Sequence, residues 1–549
     1  MLKRLAPFFF LVALPGCPYT DGCAVLEAPL SSLDGTDPET EESVPTDEAS
    51  AESRSEEQPT GKGAQLDFGA EPSGGPALSA LSCPELSMPL ARATTYVDVN
   101  ANTGATRFED GSRSAPFRSI AKAFAAAPVK GVIYVAAGMY KENLKIPNKD
   151  LSVFGGFNPT FTSRTDACAT VIESGIARRA VFTAPADVLS FTFEGFTVQR
   201  SARAFAIGGD ATLEPQYTIA RSVFLDNGLN NEVGGAIALD GVNARVFRSV
   251  FRDNHAGKGA ALAAGGDAEI TIDQNVFERN LGYSDHGGGV YLSTRHAKVT
   301  RNTFRGNATG IGINGGDGGG WGGALIVYNN SDSEPAKADL SFNVFTENTA
   351  GIGGAVFVDE GATLTMSHDL LYRNRAYSEN RHIRGAAIYV DGTGAPGGGS
   401  TFTGEYLTVV NNLYDDKGDL RPAEEGVGGD LYVEGWSKAT VTSSIFWNNG
   451  EHEMYVENGS EINVSSSIAN TPCTSANAEG FITASATICK VGAGVFHPEE
   501  IHFGDEDADD YHEKSKTGRF SKGAWVKDNV SSPAIGLGAF AKTPEASKP

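Results

Sequence analysis

Short runs of alternating apolar and polar residues recur through the middle of this chain at intervals of about 26 residues. Each interval holds a phenylalanine followed three residues later by asparagine, then a glycine-led segment such as Gly-Gly-Ala-Ile-Ala-Leu. The phenylalanines are Phe224, Phe251, Phe277, Phe304, Phe345 and Phe446; the asparagines are Asn227, Asn254, Asn280, Asn307, Asn348 and Asn449. The glycine-led segments begin at Gly234, Gly259, Gly287, Gly322, Gly353, Gly385 and Gly428. Strict alternation is the period of a β-strand.

The repeats predict about three short strands in each interval. No segment has the 3.6-residue period of an amphipathic helix, and the interval is too short for a propeller blade. We therefore predict an all-β fold, a single-stranded right-handed parallel β-helix (a solenoid of about a dozen coils). Ser114 before Pro116, with apolar Phe117, Ile120 and Phe124, predicts an N-terminal capping helix.

Equivalent residues of successive coils stack about 4.8 Å apart in such a solenoid, so each repeat position becomes a column. The phenylalanine column is predicted to stack inside the core, and the asparagine column to satisfy buried turn amides. A second polar column is predicted to occupy tight turns and to adopt left-handed conformations: Ser222, Ser249, Asn275, Asn302, Asn343, Asp369 and Ser444. These residues are interpreted as structural and not catalytic.

Two columns of the glycine-led strands are predicted to form an exposed platform. One is apolar to aromatic: Ala238, Ala263, Tyr291, Ile326, Phe357, Tyr389 and Tyr432. The other is small: Ala236, Ala261, Gly289, Ala324, Ala355, Ala387 and then Asp430. Small residues beside aromatic rings suit a sugar ring or an extended peptide. The alternative is that loops or the C-terminal tail cover the aromatic column.

Insertions lengthen the repeat at one position only, between the asparagine and the glycine-led strand. They span residues 281–286, 308–321, 375–384 and 413–427. Insertions at one position of a solenoid stack on one side, which is often the binding side. The predicted ligand-binding residues are Tyr291, Trp321, Phe357, Tyr389, Tyr432, His286, His382 and Arg384.

No catalytic residue, metal or cofactor is predicted. The outward positions considered on the glycine-led strands hold Asp430 as their one acid, which does not suit a lyase-type metal centre. An enzymatic alternative needs the insertion residues Asp285, His286, Glu379 and His382 to converge, an arrangement that would suit glycoside hydrolysis.

The N-terminal region carries export signals. Lys3 and Arg4 precede an apolar run, and the sequence Leu-Pro-Gly-Cys resembles a lipobox that ends at Cys17. We predict a lipoprotein signal peptide at 1–16, an acidic disordered tether at 17–92 lipidated at Cys17, and a β-helix domain at 93–540, followed by a disordered tail at 541–549. Within the domain, 93–131 forms the cap and 470–540 forms atypical last coils.

Charge and cysteines narrow the partners and the compartment. The formal net charge of −24 argues against nucleic acid or anionic lipid surfaces as partners. An exported chain oxidises cysteines that can pair. We predict disulfides between Cys473 and Cys489 and between Cys83 and Cys168, although spacing alone leaves the connectivity open.

Two resemblances are specific to the fold. Tyr96-Val97-Asp98, Ala115-Pro116-Phe117 and the run from Ile133 to Asn143 resemble the opening of bacterial β-helix proteins of the pectin-lyase-like superfamily. That superfamily includes polysaccharide lyases with stacked carboxylates and bound calcium. The paired repeats between about 220 and 450 resemble those of the chlamydial polymorphic outer membrane proteins, which are implicated in adhesion.

We therefore predict a monomeric lipoprotein, exposed at the cell outer membrane and attached to it by lipid alone. It would act as a binding or adhesion module for a polysaccharide or a cell-surface protein. The first alternative is a carbohydrate-active enzyme, either a polysaccharide lyase or a glycoside hydrolase, and the second is a structural envelope protein. Exposure of Tyr291, Phe357, Tyr389 and Tyr432 would favour binding, and their burial would favour a scaffold.

Overall fold

The computed structural model describes residues 83–541 with internal gaps. The gaps are 102–107, 177–178, 185–187, 189, 210–213, 311–319, 331–334, 379–383, 417–418, 421–429, 448–452, 458, 470–473, 476–487, 496–497, 499, 515, 517–518, 522–523 and 535–536. The predicted signal peptide, Cys17, most of the tether and the tail from 542 lie outside the described residues, as do Cys473, Glu379 and His382. No helix within the described part is long and apolar enough to cross a membrane.

One coil contains four short strands, where the sequence predicted three. Val223–Leu225, Gly228–Val233, Ile237–Asp240 and Asn243–Phe247 complete a coil, and the next begins at Val250. Each strand pairs in parallel with its equivalent in the neighbouring coil. The chain is therefore a parallel β-helix, and the predicted fold is confirmed.

The strands stack into four sheets, called the phenylalanine, short, glycine and return sheets. The phenylalanine sheet contains Gly138–Lys141, Thr170–Glu173, Thr197–Gln199, Val223–Leu225, Val250–Arg252, Val276–Glu278, Thr303–Arg305, Val344–Thr346, Leu370–Tyr372, Thr408–Val410, Ile445–Trp447 and Ile468–Ala469. The short sheet contains Gly228–Val233, His255–Lys258, Leu281–His286, Ala308–Thr309, Thr349–Ala350, Arg375–Ser378, Leu413–Asp416 and the antiparallel Asp419–Leu420.

The other two stacks join at a corner. The glycine sheet contains Leu144–Lys145, Ala180–Ala184, Arg203–Gly208, Ile237–Asp240, Leu262–Asp273, Val290–Thr300, Leu325–Tyr328, Val356–Asp359, Ile388–Val390, Leu431–Val433, Met454–Val456 and Thr474–Ser475. The return sheet contains Thr95–Val97, Gly131–Ala136, Leu151–Phe157, Ser190–Glu194, Gln216–Ala220, Asn243–Phe247, Lys337–Ser341, Thr363–Ser367, Thr401–Glu405, Lys438–Thr442, Glu461–Ser465 and Ile488–Val491. Leu262–Asp273 and Val290–Thr300 are long enough to run through both.

The phenylalanine column fills the core as predicted. The rings of Phe224, Phe251, Phe277, Phe304 and Phe345 are fully buried, with successive centroids 4.7–4.8 Å apart and planes within 14° of parallel. Their spacing follows that of the paired strands, so strand register alone aligns the rings.

The asparagine column forms a continuous hydrogen-bonded ladder. From Asn227 to Asn374, each Nδ2 donates to the Oδ1 of the asparagine in the next coil at 2.8–3.0 Å. The same Nδ2 also donates to a backbone carbonyl of the preceding coil at 2.9–3.0 Å. Every described member is buried, so the structural interpretation is confirmed for them, whereas Asn449 lies outside the described residues.

Left-handed turn residues lie one position earlier than predicted. The residues before the second polar column have φ between 42° and 57°: Arg221, Arg248, Gln274, Arg301, Phe342, His368, Tyr406, Ser443 and Ser466. The polar residues themselves point inward and accept backbone N–H groups, as Asn302 Oδ1 does from Asn275 at 2.9 Å. The outward residue before each of them therefore adopts the left-handed conformation at the corner of the coil.

The turns before the glycine-led strands begin with a glycine that the backbone requires, whereas the second position holds glycine in most turns and alanine at Ala260 and Ala386. The first glycine has φ between 57° and 72° at Gly234, Gly259, Gly287, Gly322, Gly353 and Gly385, a region that disfavours side chains. The second sits against the neighbouring coil. At Gly354, a Cβ atom would lie 2.6 Å from the Arg375 carbonyl oxygen and closer still to that of Ala386.

The N-terminal helix spans Ile120–Ala126 and buries Ile120, Ala123 and Phe124 against the core. Its N-cap is Ser119, and not Ser114 as the sequence predicted. The Glu142 carboxylate accepts hydrogen bonds from the backbone N–H groups of Ile120 and Ala121, which anchors the first turn to a coil.

Disulfides tie down the segments at the ends. Cys83 and Cys168 form the predicted bond, with Cα atoms 5.7 Å apart. Cys489 is also disulfide-bonded. Its predicted partner Cys473 lies outside the described residues, so that pairing stays a prediction.

The C-terminal segment folds back over the outer face of the phenylalanine sheet. It contains the strands Phe503–Asp505, Asp510–Glu513, Arg519–Ser521 and Ala524–Val526 and the short 3₁₀ helix Glu506–Ala508. Tyr511 packs on Tyr372, with ring centroids 4.9 Å apart, and Arg373 pairs with Asp509 at 2.9 Å. This segment therefore covers a different face from the predicted aromatic platform.

Candidate functional site

The outer face of the glycine sheet carries three parallel columns of side chains. The pre-glycine column is Val233, Lys258, His286, Trp321, Ile352 and Arg384. The ring column is Ala206, Ala238, Ala263, Tyr291, Ile326, Phe357, Tyr389, Tyr432 and Tyr455. The acid column, two residues further along each strand, is Gly208, Asp240, Gly265, Ser293, Tyr328, Asp359, Asp391, Glu434 and Glu457.

The small column that the sequence placed beside the rings is not on this face. Ala236, Ala261, Ala324, Ala355 and Ala387 belong to the central core and are fully buried. A Cβ atom at Gly289 would lie 2.6 Å from the Ala324 carbonyl oxygen, so the neighbouring coil leaves little room for a side chain at this position. The prediction of an exposed small-residue shelf was wrong.

The aromatic residues point outward but are buried. Trp321, Phe357, Tyr389, Tyr432 and Tyr455 form a stack with successive centroids 5.0–5.4 Å apart. Phe357, Tyr389 and Tyr432 are each 2% exposed and Tyr291 is 7% exposed. The predicted exposure was wrong because side chains of the pre-glycine column pack over the rings. Their burial favours the structural alternative for these rings, and ligand binding by them stays a prediction.

Arg384 lies over the far end of this stack and holds two carboxylates. Its guanidinium carbon is 5.3 Å from the centre of the Tyr432 ring, and its Nη1 is 2.7 Å from Glu434 Oε1. Glu457 lies 3.7 Å from the same nitrogen, and the Tyr389 hydroxyl donates to Glu434. Arg384 is thus part of a buried polar cluster built from three coils.

Stacked carboxylates occupy four successive coils of the acid column: Asp359, Asp391, Glu434 and Glu457. The sequence reasoning missed them because it considered only the first outward position of each strand. The statement that Asp430 is the one acid on this face was therefore wrong. Alternation would have found the column, since it lies two residues after the rings.

Burial disfavours the ionised form of the carboxylates in this column. Burial and the charge of Asp391 raise the pKa of Asp359 to about 7, and burial raises the pKa of Asp391 to about 6. Burial and a hydrogen bond with Glu457 raise the pKa of Glu434. A carboxylic acid that stays protonated near neutral pH can serve as a general acid.

A groove of about 950 Å³ opens on the same face, where the ring column begins with alanine. Ala206, Ala238 and Ala263 line it where later coils carry rings, and Tyr291 closes one end. Its other charged and polar lining residues are Arg203, Lys258, Asp240, Asp267, Ser293, Thr294, Arg295, Asn329 and Asn330. Because these coils have alanine in place of rings, a channel remains in the space that aromatic side chains occupy in the later coils.

Thr294 provides an unused hydrogen-bonding group in this groove. It is 2% exposed, and its Oγ1 has no hydrogen-bond partner among the described residues. The charged groups around it are held in place: Arg295 pairs with Asp267 at 3.1 Å, and Arg203 pairs with Glu232 at 2.9 Å. A bound ligand could satisfy the threonine hydroxyl, whose burial is otherwise unfavourable.

His286 lies near the Tyr291 end of the groove, inside a cluster of rings. Its imidazole is 4.6 Å from Trp321 and 5.3 Å from Tyr328, measured between ring centroids. Burial and the charge of Lys258 lower its pKa to about 4, so the ring is neutral at physiological pH. Its Nδ1 is buried without a hydrogen-bond partner among the described residues.

The predicted site residues thus divide into two groups. His286, Trp321 and Tyr291 lie together near the groove, whereas Tyr389, Tyr432 and Arg384 form the cluster further along the solenoid. His382, Glu379 and the side chain of Asp285 lie outside what is described, so the four-residue catalytic alternative stays a prediction.

Within the described part, one group of three side chains has the spacing of metal ligands: Cys83, Asp166 and Cys168. The disulfide between its two cysteines removes both thiolates.

Three family models match separate parts of the chain. Residues 190–412 match the family described as right handed beta helix region, residues 470–538 match the family described as disaggregatase related, and residues 103–146 match a family described as protein of unknown function, DUF1565. No curated protein matches the chain in sequence.

Two solved structures are similar to the chain. A pectin methylesterase from carrot is 12% identical, with a TM-score of 0.28 over 61% of this chain and 86% of its own. A PL6 alginate lyase in complex with a trisaccharide is 11% identical, with a TM-score of 0.39 over 81% of this chain and 94% of its own. The fold, a right-handed parallel β-helix, rests on the strand pairing and the β-helix family match.

Proposed function

We propose that this protein binds a neutral polysaccharide along the groove of the glycine sheet. The observation that carries the proposal is the interrupted ring column, which leaves a channel floored by alanine and closed by Tyr291. The buried Thr294 hydroxyl in that channel has no partner among the described residues. A polymer rich in hydroxyl groups supplies both donors and acceptors to such a group.

The chemistry of the lining favours a sugar chain over other polymers. Small side chains let a flat ring approach the sheet, and the paired charges on the rim offer both donors and acceptors. The volume falls within the range of about 300–1,000 Å³ typical of ligand sites. A formal net charge of −24 repels a strongly anionic polymer, which favours a neutral one.

The test fills the groove by extending the existing stack. Ala263→Tyr places a ring beside Tyr291, one coil away, where coils further along already hold stacked rings. We expect affinity for a neutral oligosaccharide selected on a glycan array to fall at least about tenfold by calorimetry, with an unchanged melting temperature. The matched control is Thr403→Tyr, an exposed outward position of the return sheet.

Two results would contradict the proposal. One is that no neutral glycan binds the full chain. The other is that Ala263→Tyr binds as tightly as the unmodified protein, which would place the binding site elsewhere.

Glycosidic bond cleavage is a second candidate, carried by the protonated carboxyl cluster beside Arg384. In this role Glu434 would donate a proton to the leaving oxygen, while Glu457, held by Arg384, would take a proton from the water that attacks the anomeric carbon. Glu434→Gln should abolish cleavage and leave groove binding intact. If the Glu434→Gln variant released reducing sugar as fast as the unmodified protein, Glu434 would not be the proton donor.

Surface attachment and adhesion belong to the same proposal. The lipobox-like sequence at Cys17 and the acidic segment after it support display at the cell outer membrane. Cys17→Ala should move the protein from the membrane fraction to the soluble fraction, and unchanged membrane association would argue against a lipid anchor. A polysaccharide of a neighbouring cell would then be the partner for adhesion.

A further inference from the structure

Two carboxylates lie inside the solenoid near its C-terminal end. They occupy the interior column that holds Ala236, Ala261, Gly289, Ala324, Ala355 and Ala387 in earlier coils. In the next two coils this column continues with Asp430 and Glu453, and both are 0% exposed. Alanine satisfies the packing at this position, so packing does not explain the change to two acids.

Asp430 is only half satisfied by the protein. Its Oδ2 accepts a hydrogen bond from Asn412 Nδ2 at 3.3 Å. Its Oδ1 is buried and has no hydrogen-bond partner within the part of the chain that the structure describes. Asn412 belongs to the asparagine ladder, and its own Oδ1 accepts from Asn374 at 2.9 Å. The ladder therefore holds one oxygen of Asp430 and leaves the other facing the interior.

Asp369 is a buried acid whose two carboxylate oxygens both accept hydrogen bonds within the protein. It is also 0% exposed, yet its Oδ1 accepts from the backbone N–H and Nδ2 of Asn343. Its Oδ2 accepts from the Ser367 backbone at 3.1 Å. Burial alone therefore does not leave a carboxylate oxygen of this fold without a partner, although Glu513 Oε1 is another such oxygen among the described residues.

Two further oxygen-bearing side chains, Glu453 and Tyr414, belong to the same buried region. Glu453 follows Asp430 in the next coil, as the backbone hydrogen bond from Leu431 to Glu453 at 3.0 Å requires. Burial and the nearby Asp430 and Glu453 raise the pKa of Tyr414, so its hydroxyl lies within electrostatic reach of both. The Ala386 N–H donates to that hydroxyl at 3.4 Å.

Two buried carboxylates in adjacent coils repel each other and lose their hydration, which costs several kcal/mol for each ion. A shared proton or a bound cation would remove this cost. A cation also explains why oxygen ligands accumulate here, because hard divalent ions coordinate carboxylate oxygens. It would link the last coils, just before the parallel coils end.

We propose that Asp430 and Glu453 bind a divalent cation, calcium, inside the C-terminal coils, with Tyr414 beside them and Asn412 orienting Asp430. The site is separate from the groove and does not depend on the proposed polysaccharide binding. The role of the cation is structural, because it would connect successive coils at a position that holds alanine in earlier coils.

The experiment measures bound metal and stability on the full chain. We expect about one equivalent of calcium by elemental analysis after gel filtration, and a melting temperature that falls by at least about 5 °C in EDTA and returns with added CaCl₂. Asp430→Ala restores the residue type of earlier coils, so it should fold, lose the calcium and melt at the same temperature with and without EDTA. Asp369→Asn is the matched control and should keep the full response to calcium.

The competing outcome is a shared proton. In that case the purified protein would contain no stoichiometric metal, and EDTA would leave its melting temperature unchanged. Acidification would then stabilise the unmodified protein more than Asp430→Ala. That result would overturn the proposal. If Asp430→Ala does not fold, the calcium content and EDTA response of the unmodified protein decide alone.

Discussion

At the scale of single residues, the ladders show that the role of a side chain depends on its neighbour in the next coil. Asn343 donates its amide to Asp369, which accepts without needing to donate in turn. The next coil places Leu407 at that position, and leucine offers no acceptor. An acid therefore ends this ladder where an apolar residue follows. Burial makes the ionised form of this acid unfavourable.

The first prediction concerns this acid. Burial raises the pKa of Asp369 to about 7, above its unfolded value near 3.9. A raised pKa means that stability is full below the unfolded value and declines as pH rises towards 7. Asp369→Asn removes that decline of up to about 4 kcal/mol, although its amide NH₂ replaces the Oδ2 that accepts from the Ser367 N–H. The stability of the variant relative to the unmodified protein should therefore rise between pH 4 and pH 8, as measured by urea titration.

The contrasting substitution is Asn280→Asp. Asn280 donates to Asn307 Oδ1 at 2.8 Å and to the Phe251 carbonyl at 3.0 Å, so a carboxylate here would face two acceptors. We expect a loss of about 3–5 kcal/mol at pH 8. Equal pH profiles for Asp369→Asn and the unmodified protein, or a neutral Asn280→Asp, would contradict this account of the ladders.

At the scale of secondary-structure elements, the Gly-Gly turns set how closely neighbouring coils approach. The first glycine supplies a left-handed backbone, and the second leaves room for carbonyl oxygens of adjacent segments. The same turns determine where the pre-glycine column begins and thus which side chains pack over the rings. Turn geometry therefore controls the surface as well as the core.

Gly354→Ala tests this contact. Its Cβ atom would lie 2.6 Å from the Arg375 carbonyl oxygen, and the backbone of Ala386 is even closer. We expect a loss of about 2–3 kcal/mol in free energy of unfolding. Gly208→Ala is the control, because its Cβ atom would meet nothing within 4 Å, and it should change stability by less than about 1 kcal/mol. Equal losses for the two variants would rule out the contact as the cause.

At the scale of the whole molecule, buried acids recur on several faces. Asp359 and Asp369 have pKa values raised to about 7, Asp391 to about 6 and Glu513 to about 8, all chiefly by burial. Each is protonated in the folded protein at a pH where the unfolded chain is already ionised. These four groups therefore stabilise the folded state more in weakly acidic conditions than at pH 8.

The corresponding prediction is a stability that falls as pH rises from about 5 to 8. For acids with raised pKa values the unfolded chain releases protons first, so each unit of pH in this window favours unfolding by up to about 1.4 kcal/mol per group. Urea titrations at constant ionic strength should show a higher unfolding midpoint at pH 5 than at pH 8. A midpoint that rises with pH would mean that these carboxylates are ionised in the fold.

The sequence by itself determined the periodic features of this protein. Phe251 and Phe277 stack, and Asn254 and Asn280 bond, because equivalent positions of a parallel solenoid must lie one strand spacing apart. The number of coils and the inward side of each strand follow from the same one-dimensional pattern. The C-terminal segment, which lacks the repeat, is where this pattern stops being informative.

Only the tertiary structure decided which outward residues are exposed. Trp321 covers Phe357 from a position 36 residues earlier in the chain, and the groove exists because Ala238 and Ala263 stand next to Tyr291. Exposure depends on the size of side chains in neighbouring columns and coils, which strand alternation does not encode. The same holds for Asp430, whose burial follows from its place beside the asparagine ladder.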